Sequence, residues 1–179
     1  KGNVYVWSRG EELVTDKYPE FSNLAEMLPD GSVMDGEILP FIDGKPLPFQ
    51  ALQTRIGRKN ISKNLLLKTP VVFMVYDLLE EDGEDIRSLP FRVRRQKLEQ
   101  LMAERSAGSS LLLSPLVYFD DWDTLARERA RSRELHCEGL MLKEKSGPYE
   151  VGRKKGGWWK WKIDPYTIDA VLTYAMRGH

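Results

Sequence analysis

The sequence has 179 residues and a formal net charge of zero, with 27 basic and 27 acidic side chains. This balance excludes a polycationic protein, so any binding of nucleic acid has to come from local patches. The single cysteine excludes an internal disulfide and fits a reducing compartment. No apolar run reaches the roughly 20 residues that cross a bilayer. The length fits one domain, or one domain with a piece of another.

The first predicted strand is followed by an arginine beside a glycine. Residues 3–8 alternate as a strand and are followed by Arg9 and Gly10. An arginine at the end of a strand is well placed to bind an oxyanion, although a plain surface arginine fits the same pattern. A short helix is predicted over residues 19–28.

The second predicted strand, residues 32–39, carries two carboxylates on one face. Asp35 and Glu37 alternate with apolar neighbours. Two carboxylates on a buried strand require a cation, a metal or hydroxyl donors, unless they face water at the edge of a sheet. Gly36 between them is typical of a place where another group approaches closely.

Residues 49–68 have helical spacing followed by a basic end. The cations of this region are Arg55, Arg58, Lys59, Lys63 and Lys68. Cations interleaved with amide side chains suit a sugar-phosphate backbone, and a solvated helix face fits the composition equally well.

The apolar run at residues 70–79 predicts a strand buried on both faces, in the middle of a sheet. Tyr76 and Asp77 are its polar exceptions. The Tyr76 ring has the geometry to stack on a planar base, and plain packing in the core is the alternative.

The remaining elements alternate between helices and strands. They are a helix over residues 88–105 with a charged outer face, a strand over 111–119, a helix over 121–134 capped by Asp121 or Asp123, strands over 138–143 and 158–163, and a strand that starts at 167–175.

The two strands at 138–143 and 158–163 carry the most chemistry. Lys160 and Lys162 share one face of an extended chain. The opposite face would anchor the strand in a core through Trp159, Trp161 and Ile163. Two fixed cations suit a phosphate chain, and Glu138 on the neighbouring strand suits the metal that accompanies it. The alternative is a tryptophan-rich strand with solvated lysines.

The order of these segments closely resembles that of ATP-dependent DNA ligases. The segments are Ser8-Arg9-x-Gly10, Asp35-Gly36-Glu37-Ile38, Val75-Tyr76-Asp77-Leu78-Leu79, Glu138-Gly139-Leu140-Met141-Leu142-Lys143 and Trp159-Lys160-Trp161-Lys162. The resemblance spans nearly the whole chain and is to the nucleotidyltransferase (adenylation) domain. It implies an α+β fold of two packed, largely antiparallel sheets with flanking helices, similar to ATP-grasp proteins.

The resemblance also implies a role for each site residue. Arg9 would hold the 5′-phosphate of nicked duplex DNA, and the segment from Phe49 to Lys59, with Arg55, Arg58 and Lys59, resembles a DNA-contacting stretch. For ATP, Tyr76 would stack on adenine, Lys160 and Lys162 would contact the phosphates, and Glu138 would bind Mg²⁺ or Mn²⁺. Glu37 would contact the ribose or the metal. Lys143 and Arg153 are weaker phosphate candidates, and Lys143 is expected to face away from Glu138 if the strand is unbroken.

One departure from the family concerns the nucleophile. The family uses the lysine of a Lys-x-Asp-Gly motif, and this sequence contains no such motif. We therefore expect residues 1–165 to be an incomplete adenylation domain that cannot adenylate itself, with residues 166–179 starting a linker or strand toward an absent OB-fold domain. N-terminal DNA-binding domains of a parent chain are a further expectation, as is a cytoplasmic, nucleoid-associated location.

RNA ligases and mRNA capping guanylyltransferases share the same motif order and are the alternative enzymatic interpretations. The segment at 49–58 and the form of the motif at 138–143 favour a DNA ligase. A non-catalytic module that binds nucleic acid is the third interpretation.

Overall fold

The computed structural model describes residues 2–58, 60–103, 110–152, 154–167 and 169–176. The α-helices are α1 (Leu24–Met27), α2 (Phe49–Ile56), α3 (Lys63–Lys68), α4 (Phe91–Ala103) and α5 (Trp122–Ala130). The strands are β1 (Val33–Ile42), β2 (Lys45–Pro46), β3 (Val71–Glu81), β4 (Glu84–Asp85), β5 (Leu111–Leu113), β6 (Gly139–Lys143) and β7 (Trp158–Lys162). Short 3-10 helices form at Thr15–Lys17, Pro19–Phe21 and Arg131–Arg133. In the described part of the chain, no helix combines the length and apolarity needed to span a membrane.

Strand β3 lies in the middle of the larger sheet. It pairs antiparallel with β1 on one side, and on the other side it pairs antiparallel with β4 and parallel with β5. Strand β2 extends the sheet beyond β1. Val75 and Leu78 are both 0% exposed, as expected for an apolar strand covered on both faces. The predicted central strand over residues 70–79 is therefore confirmed.

The pairing of β1 with β3 shifts register between Asp35 and Gly36, and Tyr76 is the residue of β3 that is left without a partner there. A Cβ at Gly36 would lie 2.6 Å from the ring of Phe73 and 2.5 Å from the carbonyl oxygen of Met74. A side chain at this position would push the two strands apart, which confirms the predicted close approach at this glycine.

The main hydrophobic core packs against β3 from α4 and from the N-terminal helices. Its buried members are Tyr18, Phe21, Leu24, Leu52, Val71, Val75, Leu78, Ile86, Leu98, Leu101 and Leu111. Each fully buried leucine stabilises the fold by about 1.5–3 kcal/mol. This layer therefore holds the larger sheet in place behind the strands that carry the site.

Strands β6 and β7 form a second, antiparallel sheet, and helix α5 packs on β6. Gly139 opens β6 with φ 147°, and a Cβ there would lie 2.6 Å from the Cα of Lys162. Only glycine allows the start of β6 to lie so close to the end of β7. The predicted α+β class with antiparallel sheets and flanking helices is confirmed.

Several predicted elements are shorter than expected. The strand at 3–8 is reduced to one bridge between Trp7 and Leu13, because the Val6 N–H donates to the Thr15 hydroxyl instead of a neighbouring strand. The helix at 19–28 divides into the 3-10 turn Pro19–Phe21 and α1.

The later elements show the same tendency. The strand predicted at 111–119 stops at Leu113, shortly before Pro115, which has no backbone N–H to donate. The described residues of 167–175 lie in no strand. The helix at 88–105 is α4, and residues 104 and 105 lie outside the described part. The cap at Asp121 is confirmed, since its Oδ1 accepts a hydrogen bond from the Thr124 N–H at 2.7 Å.

Candidate active site

The two sheets meet at a buried lysine surrounded by aromatic rings. The Nζ of Lys143, on β6, lies 4.1 Å from the ring centroid of Tyr76 and 3.8 Å from that of Trp158. The ring of Phe91 lies 4.7 Å away. Burial lowers the pKa of Lys143 to about 8, and the nearby Asp77 carboxylate opposes this shift. Cation–π contacts with three rings compensate in part for the lost hydration of the ammonium group.

Asp77 of β3 supplies the negative charge beneath this lysine. Its Oδ2 lies 3.7 Å from Lys143 Nζ, and its carboxylate accepts hydrogen bonds from Arg94 Nε at 2.8 Å and Arg94 Nη2 at 3.0 Å. The side chains of Asp77 and Arg94 are 0% exposed. A buried carboxylate is tolerable only with such pairing, and here two cations share it.

The prediction that α4 has a wholly charged outer face is wrong at two positions. Arg94 and Arg95 are buried. Arg95 donates to the carbonyl oxygen of Ser114 at 2.8 Å and to Glu99 Oε1 at 2.7 Å. These two arginines face β3 and β5, where buried polar groups need hydrogen-bond donors.

Asp35 on β1 joins two tyrosines at the same place. The Tyr149 hydroxyl donates to Asp35 Oδ2 at 2.8 Å. Burial, followed by the charge and hydrogen bonding of Asp35, raises the pKa of Tyr76, and burial and Asp35 likewise raise that of Tyr149. Both phenols therefore stay protonated. Tyr149 also meets Trp158 edge to face, with ring centroids 5.4 Å apart.

Three predicted cations surround Glu138. Its Oε2 lies 2.5 Å from Lys162 Nζ. The pKa of Glu138 is lowered, first by the hydrogen bond and charge of Lys162 and then by the charges of Lys160 and Arg9. Glu138 is 77% exposed and Lys162 52%. The cluster is thus open to solvent, and a phosphate can reach its lysines.

Lys143 was expected to face away from Glu138 only if the strand over residues 138–143 is unbroken, and this condition is not met. Strand β6 begins at Gly139, whose positive φ breaks the alternation assumed for an unbroken strand from 138. Lys143 pairs with Trp158 and so shares a face of the hairpin with Lys160 and Lys162. Lys143 is nonetheless the buried member of the three, and its ammonium meets rings and Asp77.

Glu37 lies on the same side of the site. Its charge contributes to raising the pKa of Tyr76 and of Cys137, the residue next to Glu138. Within the described ranges no three His, Cys, Asp or Glu side chains cluster as metal ligands. The exposed carboxylates Glu37 and Glu138 fit a Mg²⁺ ion that takes one or two protein ligands and completes its shell with phosphate oxygens and water.

The prediction that Trp159 anchors β7 in a core is wrong. Trp159 is 54% exposed, whereas Trp158 lies between the sheets against Tyr76 and Tyr149. The reason is that the lysine-bearing face of β7 is the one that meets β3, so the ring at 158 is enclosed with it. Trp161 packs on the opposite face against Trp122, with centroids 6.1 Å apart.

Arg55 is misassigned as a DNA-binding residue, because it is an internal structural arginine that is 1% exposed. It bonds Glu20 Oε1 at 2.5 Å and donates to the carbonyl oxygens of Lys17 at 2.7 Å and Thr69 at 2.9 Å. Helical periodicity places it on the inner face of α2 beside Leu52. The basic patch predicted around it therefore loses its central member.

The other basic candidates have different outcomes. Arg58 is exposed and donates from Nε to the Thr54 carbonyl at 3.1 Å, so its role stays a prediction. Arg9 is exposed as well. Lys59 and Arg153 lie outside the described residues.

The predicted need of Asp35 for a hydroxyl donor or a cation is met by Tyr149. Sequence reasoning missed the neighbouring buried pair of Asp77 and Arg94. Asp77 in an otherwise apolar strand was an available signal, since it demands a buried cation. Its partner was not identifiable from spacing, because Arg94 is one of several arginines on an amphipathic helix.

Comparison with known proteins agrees with this architecture. The family model described as ATP dependent DNA ligase domain matches residues 1–162. A DNA ligase of Haloferax volcanii is 36% identical over 99% of this chain and 30% of its own length. A DNA ligase of Archaeoglobus fulgidus is 31% identical over 98% of this chain and 31% of its own length. The chain thus spans about a third of the curated relatives it matches.

Solved structures show the same fold. A mycobacterial DNA ligase D complexed with ATP and MES superposes with a TM-score of 0.68 at 33% identity, covering 90% of this chain and 48% of that chain. The ligase domain of LigD from M. tuberculosis gives a TM-score of 0.66 at 30% identity, with the same coverage. The two-sheet α+β fold of this chain is therefore that of a ligase nucleotidyltransferase domain. The chain belongs to the ATP dependent DNA ligase domain family.

Proposed function

We propose that this chain is the adenylation part of an ATP-dependent DNA ligase, which seals 5′-phosphate/3′-hydroxyl nicks in duplex DNA through enzyme-adenylate and DNA-adenylate intermediates. The observation that carries the proposal is the ion pair between Lys162 and Glu138, whose pKa the charges of Lys160 and Arg9 also lower. Family membership supports the same conclusion.

Tyr76 and the groups behind it suit the base of ATP. Lys143 lies over one face of the Tyr76 ring, and adenine would stack on the other face. Asp35 and the bulge of β3 fix the ring, so its orientation is set before the nucleotide arrives. A base stacked on an aromatic side chain gains about 1–3 kcal/mol.

Lys160 and Lys162 suit the phosphates. Both side chains are exposed to solvent, and Lys162 is already paired with Glu138. A phosphate oxygen would take the ammonium of Lys162 and leave the Glu138 carboxylate to hold Mg²⁺ or Mn²⁺ together with Glu37. When bound, the metal screens the negative charge of the phosphates. The two lysines would orient the departing pyrophosphate.

The acceptor for AMP is a lysine that this sequence does not contain in its Lys-x-Asp-Gly setting. Lys160 and Lys162 would bind phosphate in this proposal and would not accept AMP. The chain by itself should therefore bind ATP without forming a lysyl adenylate.

Nicked duplex DNA is the proposed substrate. Arg9 and Arg58 are the described cations available for the DNA backbone, with Lys59 next to Arg58 in sequence. Residues 166–179 would lead toward an OB-fold domain, and further DNA-binding domains would belong to the parent protein. The proposed place of action is the nucleoid, in the cytoplasm. Mg²⁺ or Mn²⁺ and ATP would be the cofactors.

Calorimetric titration with ATP and GTP in the presence of Mg²⁺ tests the proposal. ATP should bind, and GTP should not displace it. Lys162→Met should weaken ATP about 10-fold, the cost of one charge-assisted contact. Lys154→Met is the matched control, because Lys154 pairs with Glu150 at the surface. Preference for GTP would favour a capping enzyme, and DNA binding without any response to ATP would favour a non-catalytic module.

A further inference from the structure

Two arginines four residues apart donate hydrogen bonds to the backbone at the end of β7 and just after it. Arg129, in the last turn of α5, donates from Nη1 to the carbonyl oxygen of Lys162 at 3.1 Å. Arg133, in the following 3-10 turn, donates from Nη2 to the carbonyl oxygen of Asp164 at 2.7 Å. From Arg129 to Arg133 the chain advances about 6–7.5 Å, at about 1.5 Å per α-helical residue and about 2.0 Å per 3-10 residue. Two extended residues advance about 6.6 Å, so the two donors match two successive carbonyls on one edge of the segment.

Each guanidinium also lies over a ring of the same segment. The Cζ of Arg129 is 4.8 Å from the ring centroid of Trp161, and that of Arg133 is 4.5 Å from the centroid of Tyr166. Trp122 of α5 meets the ring of Trp161 edge to face, with ring centroids 6.1 Å apart. A planar guanidinium that stacks and donates at once has little freedom to move.

Arg129 is held there although one of its groups is left unsatisfied. Its Nε is buried and has no hydrogen-bond partner in the described part of the chain. Burying an N–H without a partner is unfavourable, and an arginine near the surface would ordinarily turn toward water. The contacts with Lys162 and Trp161 are what keep it in place.

Lys162 is consequently fixed at both ends. Its carbonyl is held by Arg129, its ammonium is held by Glu138, and the next N–H, that of Ile163, donates to the Glu138 carbonyl at 2.9 Å. The position of the ammonium relative to the carboxylate thus depends on the bond from Arg129 of α5 to the Lys162 backbone.

We propose that Arg129 and Arg133 are positioning residues that fix the direction of β7 and of residues 163–166, and thereby hold Lys160 and Lys162 where the phosphates of ATP bind. This inference rests on the proposed role of the two lysines. The arginines themselves do not contact the nucleotide.

The test compares Arg129→Met and Arg133→Met with Arg131→Met in the chain as it stands. Arg131 lies between the two on the same turn, and its ion pairs are with Glu128 and Glu134 of its own helical segment. Each protein is titrated with ATP plus Mg²⁺ and with adenosine, which lacks phosphates. Arg129→Met should weaken ATP about 10-fold and leave adenosine unchanged, and Arg129→Lys should restore part of the loss. Arg131→Met should resemble the unsubstituted protein.

Hydrogen exchange of the β7 amides is the second readout, and it does not depend on ATP. Exchange at residues 161–163, where the Ile163 N–H donates to the Glu138 carbonyl oxygen, should accelerate in Arg129→Met and Arg133→Met and not in Arg131→Met. Equal exchange in all variants, or equal loss of ATP and adenosine affinity, would overturn the proposal. If the unsubstituted chain binds no ATP, the proposed function is wrong, and exchange still decides whether the arginines hold β7. Should Arg129→Met fail to fold, Arg133→Met answers the same question.

Discussion

Replacing Lys143 with methionine should change how the stability of the protein depends on pH. Burial lowers the pKa of this lysine to about 8 from the ordinary 10.5. Between these values the unfolded chain holds a proton that the folded protein has released. Because the unfolded state binds more protons, the free energy of unfolding rises as the pH is raised through this window. The penalty for burying the charge is fully present below the folded pKa.

The two pKa values give the size of the effect. From about pH 7 to about pH 9.5, Lys143 should add about 2 kcal/mol to the free energy of unfolding. Cys137 has a raised pKa and works in the opposite direction, as do Tyr76 and Tyr149, which titrate later. These groups remain when Lys143 is replaced, so the difference between the two proteins isolates the lysine.

Urea unfolding followed by tryptophan fluorescence at a series of pH values provides the measurement. As the pH is raised from about 7 to about 9.5, the unsubstituted protein should gain stability relative to Lys143→Met. The difference between their free energies of unfolding should change by about 2 kcal/mol over this range. Lys154→Met, at an exposed position, should track the unsubstituted protein. If the free energies of unfolding of the unsubstituted protein and Lys143→Met depend on pH in the same way, the claim that burial lowers the pKa of Lys143 is refuted.

Three other predictions follow from the described contacts. Arg55→Met should lower the free energy of unfolding by about 3 kcal/mol, because it leaves Glu20 without its partner, and Arg58→Met should stay within about 0.5 kcal/mol in the same denaturation assay. Tyr76→Ala should weaken ATP by about 1–3 kcal/mol in calorimetry, whereas Tyr76→Phe should bind ATP nearly normally; equal losses would contradict stacking. In titrations of nicked duplex at several salt concentrations, Arg9→Met and Arg58→Met should each reduce the salt slope by about 1, and a flat response of the unsubstituted protein would remove these cations from the DNA surface.

The sequence predicted the strands of the site because their patterns are local. The apolar run of β3 and the alternation of lysines in β7 each follow from the side-chain periodicity of an extended chain. The resemblance to DNA ligases placed Glu138, Lys160 and Lys162 in one site, and the structure brings these three side chains together. The ligand contacts assigned to them stay predictions.

The errors arose where long-range packing or an unusual backbone conformation decides which way a side chain points. Arg55 looked like part of a basic surface, but the face of α2 on which it lies packs against Glu20 and Thr69, which composition does not reveal. Lys143 was expected to face away from Glu138 because alternation was counted through Gly139, whose backbone breaks it. Long-range packing and a single glycine conformation thus overrode local spacing.

Incubation of the chain with ATP labelled at the α-phosphate, in the presence of Mg²⁺, tests whether the chain lacks the nucleophile that accepts AMP. The same experiment is run on the chain extended by an upstream segment that carries Lys-x-Asp-Gly. Only the extended chain should become labelled in an acid-labile form, and the label should be lost when Lys162 or Glu138 is replaced. A stoichiometric labelled adduct on the chain alone would contradict the account, because it would show that the chain already contains its nucleophile.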